Sequence, residues 1–290
     1  MQAGRDPAGS GASARPLHPV LAGSPLLIAH RGGAGLRPEN TIAAFVSANE
    51  DWNADMFEFD VRATADGRCV VIHDSTVDRT TDGTGSVAAM TYAELRRFDA
   101  GYRFTPDGGR SNPFRGTGVT IPLIEDVFEA FPNMRFTIEV KARAAQTPLF
   151  DAIDQFACAD RVIAAGMYNA DRDLFHRHAG ALSASTEQMR AWIYRHLVGL
   201  GRWATLRADV VQVPERAEGR RIVTPRFIRA LHARGILVHV WTVNEERDMR
   251  RLLEWGVDGL VSDRPDRLAH VLHEVASRPL PPGVTTSHDA

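Results

Sequence analysis

The chain has 290 residues, of which 44% are hydrophobic and 24% charged, and its formal net charge is −2. These are ordinary values for a globular protein, and the small charge gives no electrostatic reason to expect a nucleic acid or an acidic membrane as partner. No apolar run approaches the roughly 20 residues that a transmembrane helix needs. The length suits one large core, as in single α/β barrels. We therefore expect one domain.

The two ends of the chain differ in composition from the middle. Residues 1–24 are rich in Gly, Ala, Ser and Pro and lack the apolar core of a secretory signal, which predicts a disordered lead-in and a cytoplasmic protein. Residues 278–290 are predicted to be a disordered tail. Cys69 and Cys158 lie far apart in sequence, as expected of two reduced, structural thiols. The sequence leaves the oligomeric state undetermined.

The first recognisable unit is a strand followed by a helix. Residues 25–30 form a short apolar run that ends in His30 and Arg31, so a buried strand is predicted to deliver both side chains to its C-terminal end. Either Asn40 or Thr41 can cap the helix that follows, because apolar residues then recur with helical spacing.

Residues 57–74 predict a hairpin that carries acidic groups and a histidine. Glu58 and Asp60 are two apart in a run of strand formers, so both side chains leave the same face. The turn dipeptide Asp66-Gly67 makes the next strand return antiparallel, which brings His73 back towards the acids. Two acidic groups on one apolar strand repel each other unless a cation lies between them. The alternative is that they form the solvent face of an ordinary strand.

The segment after the hairpin is polar and rich in glycine. Residues 75–118 are predicted to be an insertion that lies over one end of the barrel and shapes substrate access. Within it, Thr91 caps a short helix that extends to Phe98, and Glu94 stands at the capping-box position. Residues 122–131 form an amphipathic helical pattern.

Strand-like and helical patterns then alternate regularly to the end of the domain. Together with the two strands above they give eight β units, which predicts a TIM (β/α)8 barrel over residues 25–277, with the insertion after the second strand. The later strand-like runs are 136–140, 162–167, 181–186, 210–214, 237–243 and 259–263. The clearest of the later helices are 224–233 and 245–255.

Polar residues at the predicted strand ends suggest a cation site. Glu58, Asp60 and Glu139 come from two successive barrel strands and could converge on one hard divalent cation, Ca²⁺ or Mg²⁺. No group of Cys or His offers a zinc site. Lys141 is the only lysine in the chain and lies on the same strand face as Glu139, so it can pair with the acids or with a substrate anion.

Two histidines reach the same end of the barrel by separate routes. His30 and His73 suit general acid and base roles beside a metal-bound anion, although either alone could be structural. Asp74 is expected to hold His73, and Asp263 to cap the last helix or orient a neighbour rather than bind metal. Trp241, at a strand end, is expected to line the pocket.

Several stretches carry a resemblance to one family. In order, AHRGG, PENT, FEFDVRATADGRCVVIHD, IEVK, VHVWTVN and GVDGLVSDRPD resemble the glycerophosphodiester phosphodiesterase family over residues 26–270. The resemblance implies a TIM-like barrel that hydrolyses glycerophosphodiesters to sn-glycerol 3-phosphate and an alcohol. Ser262 departs from the threonine of many relatives. The residues that the resemblance makes functional are His30 and His73 as the acid/base pair, Glu58, Asp60 and Glu139 as ligands of one divalent ion, Arg31 and Lys141 at the phosphate, and Trp241 against the glycerol.

Two other functions remain open. Lysophospholipase D activity on lysophospholipids would need an apolar path beside the phosphate site, and the aromatic residues of the insertion could supply one. A non-catalytic barrel that only binds phosphodiesters is the other. The nucleophile, either water or the glycerol 2-hydroxyl, is also undetermined, as is the histidine that acts as the acid.

Overall fold

The computed structural model describes residues 17–197, 206–217 and 219–284. Its strands are β1 Leu26–His30, β2 Met56–Ala63, β3 Cys69–Val71, β4 Arg135–Val140, β5 Val162–Gly166, β6 Ala181–Leu182, β7 Val210–Pro214, β8 Arg216–Ala217, β9 Arg220–Arg221, β10 Leu237–Trp241 and β11 Gly259–Ser262. Its α-helices are α1 Ile42–Glu50, α2 Tyr92–Leu95, α3 Ile124–Ala130, α4 Gln146–Gln155, α5 Thr186–Leu197, α6 Pro225–His232, α7 Glu246–Glu254 and α8 Pro265–Ala276.

Eight parallel strands form the predicted barrel. They lie in the order β6, β5, β4, β2, β1, β11, β10, β7, and a parallel bridge between Ser183 and Val210 joins the two ends. These strands are almost wholly buried, because the barrel interior covers one face and the helices cover the other. The TIM-barrel prediction is therefore confirmed. Among the described residues, no helix has the length and apolar character needed to cross a membrane.

The short turn after β2 forms the predicted hairpin. β3 pairs antiparallel with β2, with Val61 opposite Val71 and Ala63 opposite Cys69. Gly67 has a φ of 75°, a left-handed value that glycine adopts without the steric cost of a side chain. The chain therefore returns to the barrel rim, where the Ile72 amide donates to the Asp60 carbonyl at 2.9 Å.

The segment that follows the hairpin has its own small core. Hydrophobic side chains from β3 and the insertion pack together and away from the main core. Thr91 and Glu94 form the predicted capping box of α2. The buried members of this insertion core are Val70, Ile72, Val77, Val87, Leu95, Ala100, Ile121 and Leu123.

The N-terminal end of the barrel is plugged by residues that precede the first strand. Residues 19–21 form a 3-10 turn, and Val20 and Leu21 are buried against Leu26, Ile28 and other side chains inside the barrel. The predicted disordered lead-in is therefore wrong for this turn, because two apolar side chains there close an otherwise open barrel end. Residues 1–16 lie outside the described part of the chain.

The C-terminal segment also differs from the prediction. Arg278 forms a two-pronged ion pair with Asp55, at 2.5 and 2.9 Å, and the Gly283 amide donates to the Asp51 carbonyl at 2.8 Å. The predicted disordered tail is therefore wrong for residues 278–284, because these polar contacts attach it to the barrel. Residues 285–290 lie outside the described part.

Several element boundaries are corrected by the structure. β6 has only two residues, and short 3-10 turns, rather than an α-helix, connect it to β5. α3 begins at Ile124, two residues after the predicted start at Pro122, and α7 spans Glu246–Glu254, one residue shorter at each end than predicted. The small hairpin of β8 and β9 was not predicted. None of these differences moves a strand end that carries a candidate site residue.

Candidate active site

One cavity of about 480 Å³ opens at the C-terminal end of the barrel strands. Its lining includes every residue predicted to be catalytic, substrate-binding or metal-binding, although five of these lie on four strands, two directly follow a strand and one lies in a loop. A site of this position and size is typical of TIM-barrel enzymes. The eight candidates are His30, Arg31, Glu58, Asp60, His73, Glu139, Lys141 and Trp241.

Strand register brings the acidic side chains together. Glu58 pairs with His30 of β1 on one side, and Asp60 pairs with Glu139 of β4 on the other. One oxygen from each of Glu58, Asp60 and Glu139 lies within 4.8 Å of the others. Glu58 and Asp60 are almost fully buried, so their repulsion is weakly screened by solvent.

Positive charge in the structure reaches only part of this acidic group. The Lys141 ammonium lies 2.8 Å from Glu139 Oε2 and 3.1 Å from Asp60 Oδ1. Burial alone would raise the pKa of Asp60, but Lys141 and Arg31 outweigh it and the pKa is lowered. Burial likewise opposes the charged form of Lys141, but Asp60 and Glu139 raise its pKa.

Glu58 is the carboxylate whose charge is poorly compensated. Burial raises the pKa of Glu58 to about 7; His30 opposes this rise, whereas Asp60 and Glu139 add to it. Three close oxygen donors, one of them buried with a raised pKa, fit a hard divalent cation, which would stabilise the ionised form of Glu58. The donor set therefore supports a cation at Glu58, Asp60 and Glu139.

His30 is held by a carboxylate from the last strand of the barrel. His30 Nδ1 lies 2.5 Å from Asp263 Oδ1, and Asn244 Nδ2 donates to Asp263 Oδ2 at 2.8 Å. Burial lowers the pKa of His30, but Glu58 and Asp263 outweigh it, so the pKa is raised. Asp263 thus orients a neighbour, one of the two predicted roles, and does not cap α8. The second ring nitrogen, Nε2, lies 3.8 Å from Glu58 Oε2.

His73 is held in the same manner by its sequence neighbour. Its Nδ1 lies 2.6 Å from Asp74 Oδ1, as predicted, and Asp74 Oδ2 accepts from Arg79 at 2.6 Å. Arg79 donates to both oxygens of Glu39, which in turn accepts from Arg31 at 2.8 Å. A continuous chain of polar side-chain contacts therefore joins His73, in the loop after β3, to Arg31 at the end of β1.

Sequence reasoning missed several polar residues of this site. Asn40 was predicted as one of two possible helix caps, yet Thr41 alone caps α1, and Asn40 donates to Asp60 Oδ2 at 3.3 Å; Glu39 was given no role. Arg62 lines the cavity and donates to the His73 carbonyl at 2.8 Å. Its position, two after Asp60 on the same strand face, was the signal that could have found it. Asn244 offered no comparable signal.

The rim of the cavity is partly apolar. Trp241 is 39% exposed and lines the cavity, as predicted, and it is joined there by Met167 and Tyr168, which are 40% and 52% exposed. Gln212 lines the interior and donates to Thr137 Oγ1 at 3.3 Å. Exposed apolar side chains grouped at a cavity mouth indicate contact with a ligand.

Comparisons with known proteins agree with this geometry. The sequence model described as "Glycerophosphoryl diester phosphodiesterase family" matches residues 30–267. A probable glycerophosphodiester phosphodiesterase 2 of Mycobacterium tuberculosis is 33% identical over 86% of this chain and 91% of its own length.

Solved structures share the fold. A glycerophosphoryl diester phosphodiesterase domain from Mycobacterium tuberculosis has a TM-score of 0.75 at 21% identity, covering 87% of this chain and all of that one. An Oleispira antarctica phosphodiesterase, solved in complex with the product sn-glycerol-3-phosphate, has a TM-score of 0.68 at 22% identity, covering 86% and 97%. The family match spans most of the sequence and includes the cavity-lining strand ends. The chain belongs to the glycerophosphoryl diester phosphodiesterase family.

Proposed function

We propose that Glu58, Asp60 and Glu139 hold one divalent cation, Ca²⁺ or Mg²⁺, and that His30 and His73 carry the proton transfers of phosphodiester hydrolysis. The chain is a phosphoric diester hydrolase of its family, and it hydrolyses glycerophosphodiesters to sn-glycerol 3-phosphate and an alcohol. The observation that carries the proposed roles is the single cavity lined by all five side chains.

A cation at the three carboxylates would neutralise charge on the phosphate oxygens and favour the ionised acids. Arg31 and Lys141 would contact the phosphate from the sides of this group. Both already contact the carboxylates, which fixes their positions before substrate binds. Trp241 would give the glycerol an apolar wall. Oxygen-only donors favour Ca²⁺ or Mg²⁺ over metals that prefer nitrogen or sulfur.

The two histidines are arranged to move protons at their Nε2 atoms. Each has Nδ1 bonded to an aspartate, Asp263 for His30 and Asp74 for His73. A carboxylate at Nδ1 fixes the ring, keeps a proton on Nδ1 and leaves Nε2 as the exchanging nitrogen. One histidine takes the proton of the nucleophile and the other gives a proton to the leaving alcohol.

Two buried, free cysteines also agree with the proposed cytoplasmic location.

Release of sn-glycerol 3-phosphate from glycerophosphocholine tests these roles. We expect turnover that chelator abolishes and added Ca²⁺ or Mg²⁺ restores. His30→Ala and His73→Ala should each lose almost all activity, while Glu139→Gln should raise the cation concentration needed for half-maximal rate.

A matched control is available outside the cavity. His232 lies 2.6 Å from Asp258 in a histidine–aspartate pair that does not line the cavity. His232→Ala should keep wild-type turnover. Wild-type rates in folded His30→Ala or His73→Ala, or full activity in chelator, would contradict the proposed roles.

The apolar rim supports a second candidate substrate class. Met167, Tyr168 and Trp241 could contact the acyl chain of a lysophospholipid whose phosphate binds at the same cation site. Choline release from monomeric lysophosphatidylcholine would measure this lysophospholipase D activity. A kcat/KM for lysophosphatidylcholine above that for glycerophosphocholine would favour it, and no choline release would exclude it.

A further inference from the structure

The site contains a cation that the assigned roles do not use. Glu58, Asp60 and Arg62 alternate along β2, so their side chains lie on one face of the strand, and Arg62 is the one nearest its C-terminal end. The Lys141 amide donates to the Val61 carbonyl at 3.1 Å, which places Lys141 beside the peptide that leads into Arg62. Arg62 therefore lies beyond the two acids on this face of the strand, towards the mouth of the barrel, with the backbone of Lys141 at the end of the neighbouring strand β4 beside it.

The three cations of the cavity differ in how far they are neutralised. Arg31 contacts Glu39 and Asp60, and Lys141 contacts Asp60 and Glu139. Arg62, by contrast, has no carboxylate of the described residues within ion-pairing distance. Its one hydrogen bond runs from Nε to the His73 carbonyl at 2.8 Å. The two terminal nitrogens of Arg62 are thus the unneutralised cationic donors among these three residues.

The bond to His73 fixes where those nitrogens can act. Nε anchors the planar guanidinium against the backbone of a residue proposed to transfer a proton to or from the substrate. A guanidinium held by Nε presents its two terminal donors in a fixed direction, which suits two oxygens of one phosphate. A partly buried cation without a carboxylate partner would also gain most from an anionic ligand.

We propose that Arg62 is a further substrate-binding residue, whose terminal nitrogens contact the anionic phosphate of the diester and of the product. The inference rests on the proposed function, because it places the phosphate between the proposed cation site and the guanidinium of Arg62. Since the contact is to the phosphate, Arg62 should contribute equally to kcat/KM for substrates with different alcohols.

Replacing Arg62 tests the contact. Arg62→Gln should lower kcat/KM roughly 10- to 150-fold, the range for losing a hydrogen bond to a charged group, and by a similar factor for glycerophosphocholine, glycerophosphoethanolamine and glycerophosphoserine. Inhibition by inorganic phosphate and by sn-glycerol 3-phosphate should weaken as well. Arg62→Lys should recover part of both losses, because it restores the charge but not the two-donor geometry.

A control variant lies on the same hairpin. Arg68 is exposed, pairs with Glu125 at 3.1 Å and does not line the cavity, so Arg68→Gln should match the wild type. Unchanged kinetics in folded Arg62→Gln would overturn the inference. So would a loss confined to one head group, or a lower kcat with unchanged phosphate inhibition, which would mean that Arg62 only holds the His73 loop. Absence of metal-dependent turnover in the wild type would contradict the proposed function itself. If the wild type is active, the result for Arg62→Gln tests the role of Arg62 alone.

Discussion

The contact between Asp263 and His30 gives the sharpest test of the site, because a neighbour fixes how an amide would sit there. In Asp263→Asn, the new side chain must keep its oxygen towards Asn244, whose Nδ2 donates to that position at 2.8 Å. Its NH₂ group must then face His30 Nδ1, because it takes the place of Asp263 Oδ1, which lies 2.5 Å from that nitrogen in the wild type. His30 would carry its proton on Nε2 and could no longer accept one there.

The expected loss has two parts. Removing a hydrogen bond to a charged group costs about 1.5–3 kcal/mol, or roughly 10- to 150-fold in rate. Holding the wrong tautomer adds to this, and hydrolases with a buried aspartate–histidine pair lose about 10⁴-fold in kcat on the same substitution. We therefore expect Asp263→Asn to lower kcat between about 10²- and 10⁴-fold. The concentration of Ca²⁺ or Mg²⁺ that gives half-maximal rate should change little, because Asp263 is not among the three clustered acids.

A second substitution should restore the tautomer. In Asp263→Asn with Asn244→Asp, the new carboxylate at residue 244 accepts from the side-chain NH₂ group of the asparagine at residue 263, which can then turn its side-chain oxygen towards His30. The carboxylate at residue 244 also still accepts from the backbone N–H of residue 263 and from the Ser262 hydroxyl. In the glycerophosphocholine assay, the double variant should be at least tenfold faster than Asp263→Asn. A single variant within threefold of wild type, or a double variant no faster than the single, would refute this reasoning.

Three further predictions concern the other histidine, the cation and the barrel interior. Asp74→Asn should lower kcat by about tenfold, less than Asp263→Asn: Arg79 would hold the new amide oxygen, but the His73 side chain is 32% exposed against 16% for His30, so water can replace the lost partner; a loss as large as that of Asp263→Asn would contradict this. Ca²⁺ at 100 times its Kd should stabilise the wild type by about 2.7 kcal/mol, or roughly 5 °C in Tm, but should stabilise Glu139→Gln much less in calorimetry at equal concentration; equal shifts would argue against the three-carboxylate site. His239 is fully buried, neither ring nitrogen has a hydrogen-bond partner among the described residues, and burial lowers its pKa to about 3. Since the unfolded state binds the proton near pH 6.5 and the folded state does not, each pH unit below 6.5 costs about 1.4 kcal/mol until near pH 3. His239→Leu should therefore gain stability relative to wild type as pH falls from 7 to 5, by about 2 kcal/mol in urea unfolding, and a pH-independent difference would contradict the burial of a neutral ring.

The barrel and its acidic strand ends could be predicted because local pattern determines them. Apolar runs of strand length ending in polar groups mark where a buried strand reaches the rim, and the Asp66-Gly67 turn fixes the direction of the return. The alternation of Glu58 and Asp60 then puts two of the proposed cation ligands on one face. These features depend on residues within a few positions of each other, so no knowledge of the tertiary structure was needed.

The residues that support the site depend on distant contacts. Asn244 matters because it bonds Asp263, 19 residues away, and Glu39 matters because it contacts Arg79, 40 residues away. Neither partner could be chosen from sequence spacing. Asn40 was missed for a different reason. Its φ of 59° is left-handed and so does not suit the capping position, and its side-chain amide donates to Asp60 instead. The order of residues 19–21 was missed because two apolar side chains in a polar segment give little periodicity.

The insertion core has a consequence for how this enzyme can change during evolution. His73 and Asp74 lie next to that core, whereas His30 and the three carboxylates belong to the barrel, and the pairing of Glu39 with Arg79 joins the two parts. No residue of 75–118 lines the cavity, so substitutions there can reach it only by shifting the loop that carries His73 and Asp74, and not by changing its walls. Divergence within this segment should therefore leave the walls of the cavity unchanged, provided that the insertion core still supports the His73 loop.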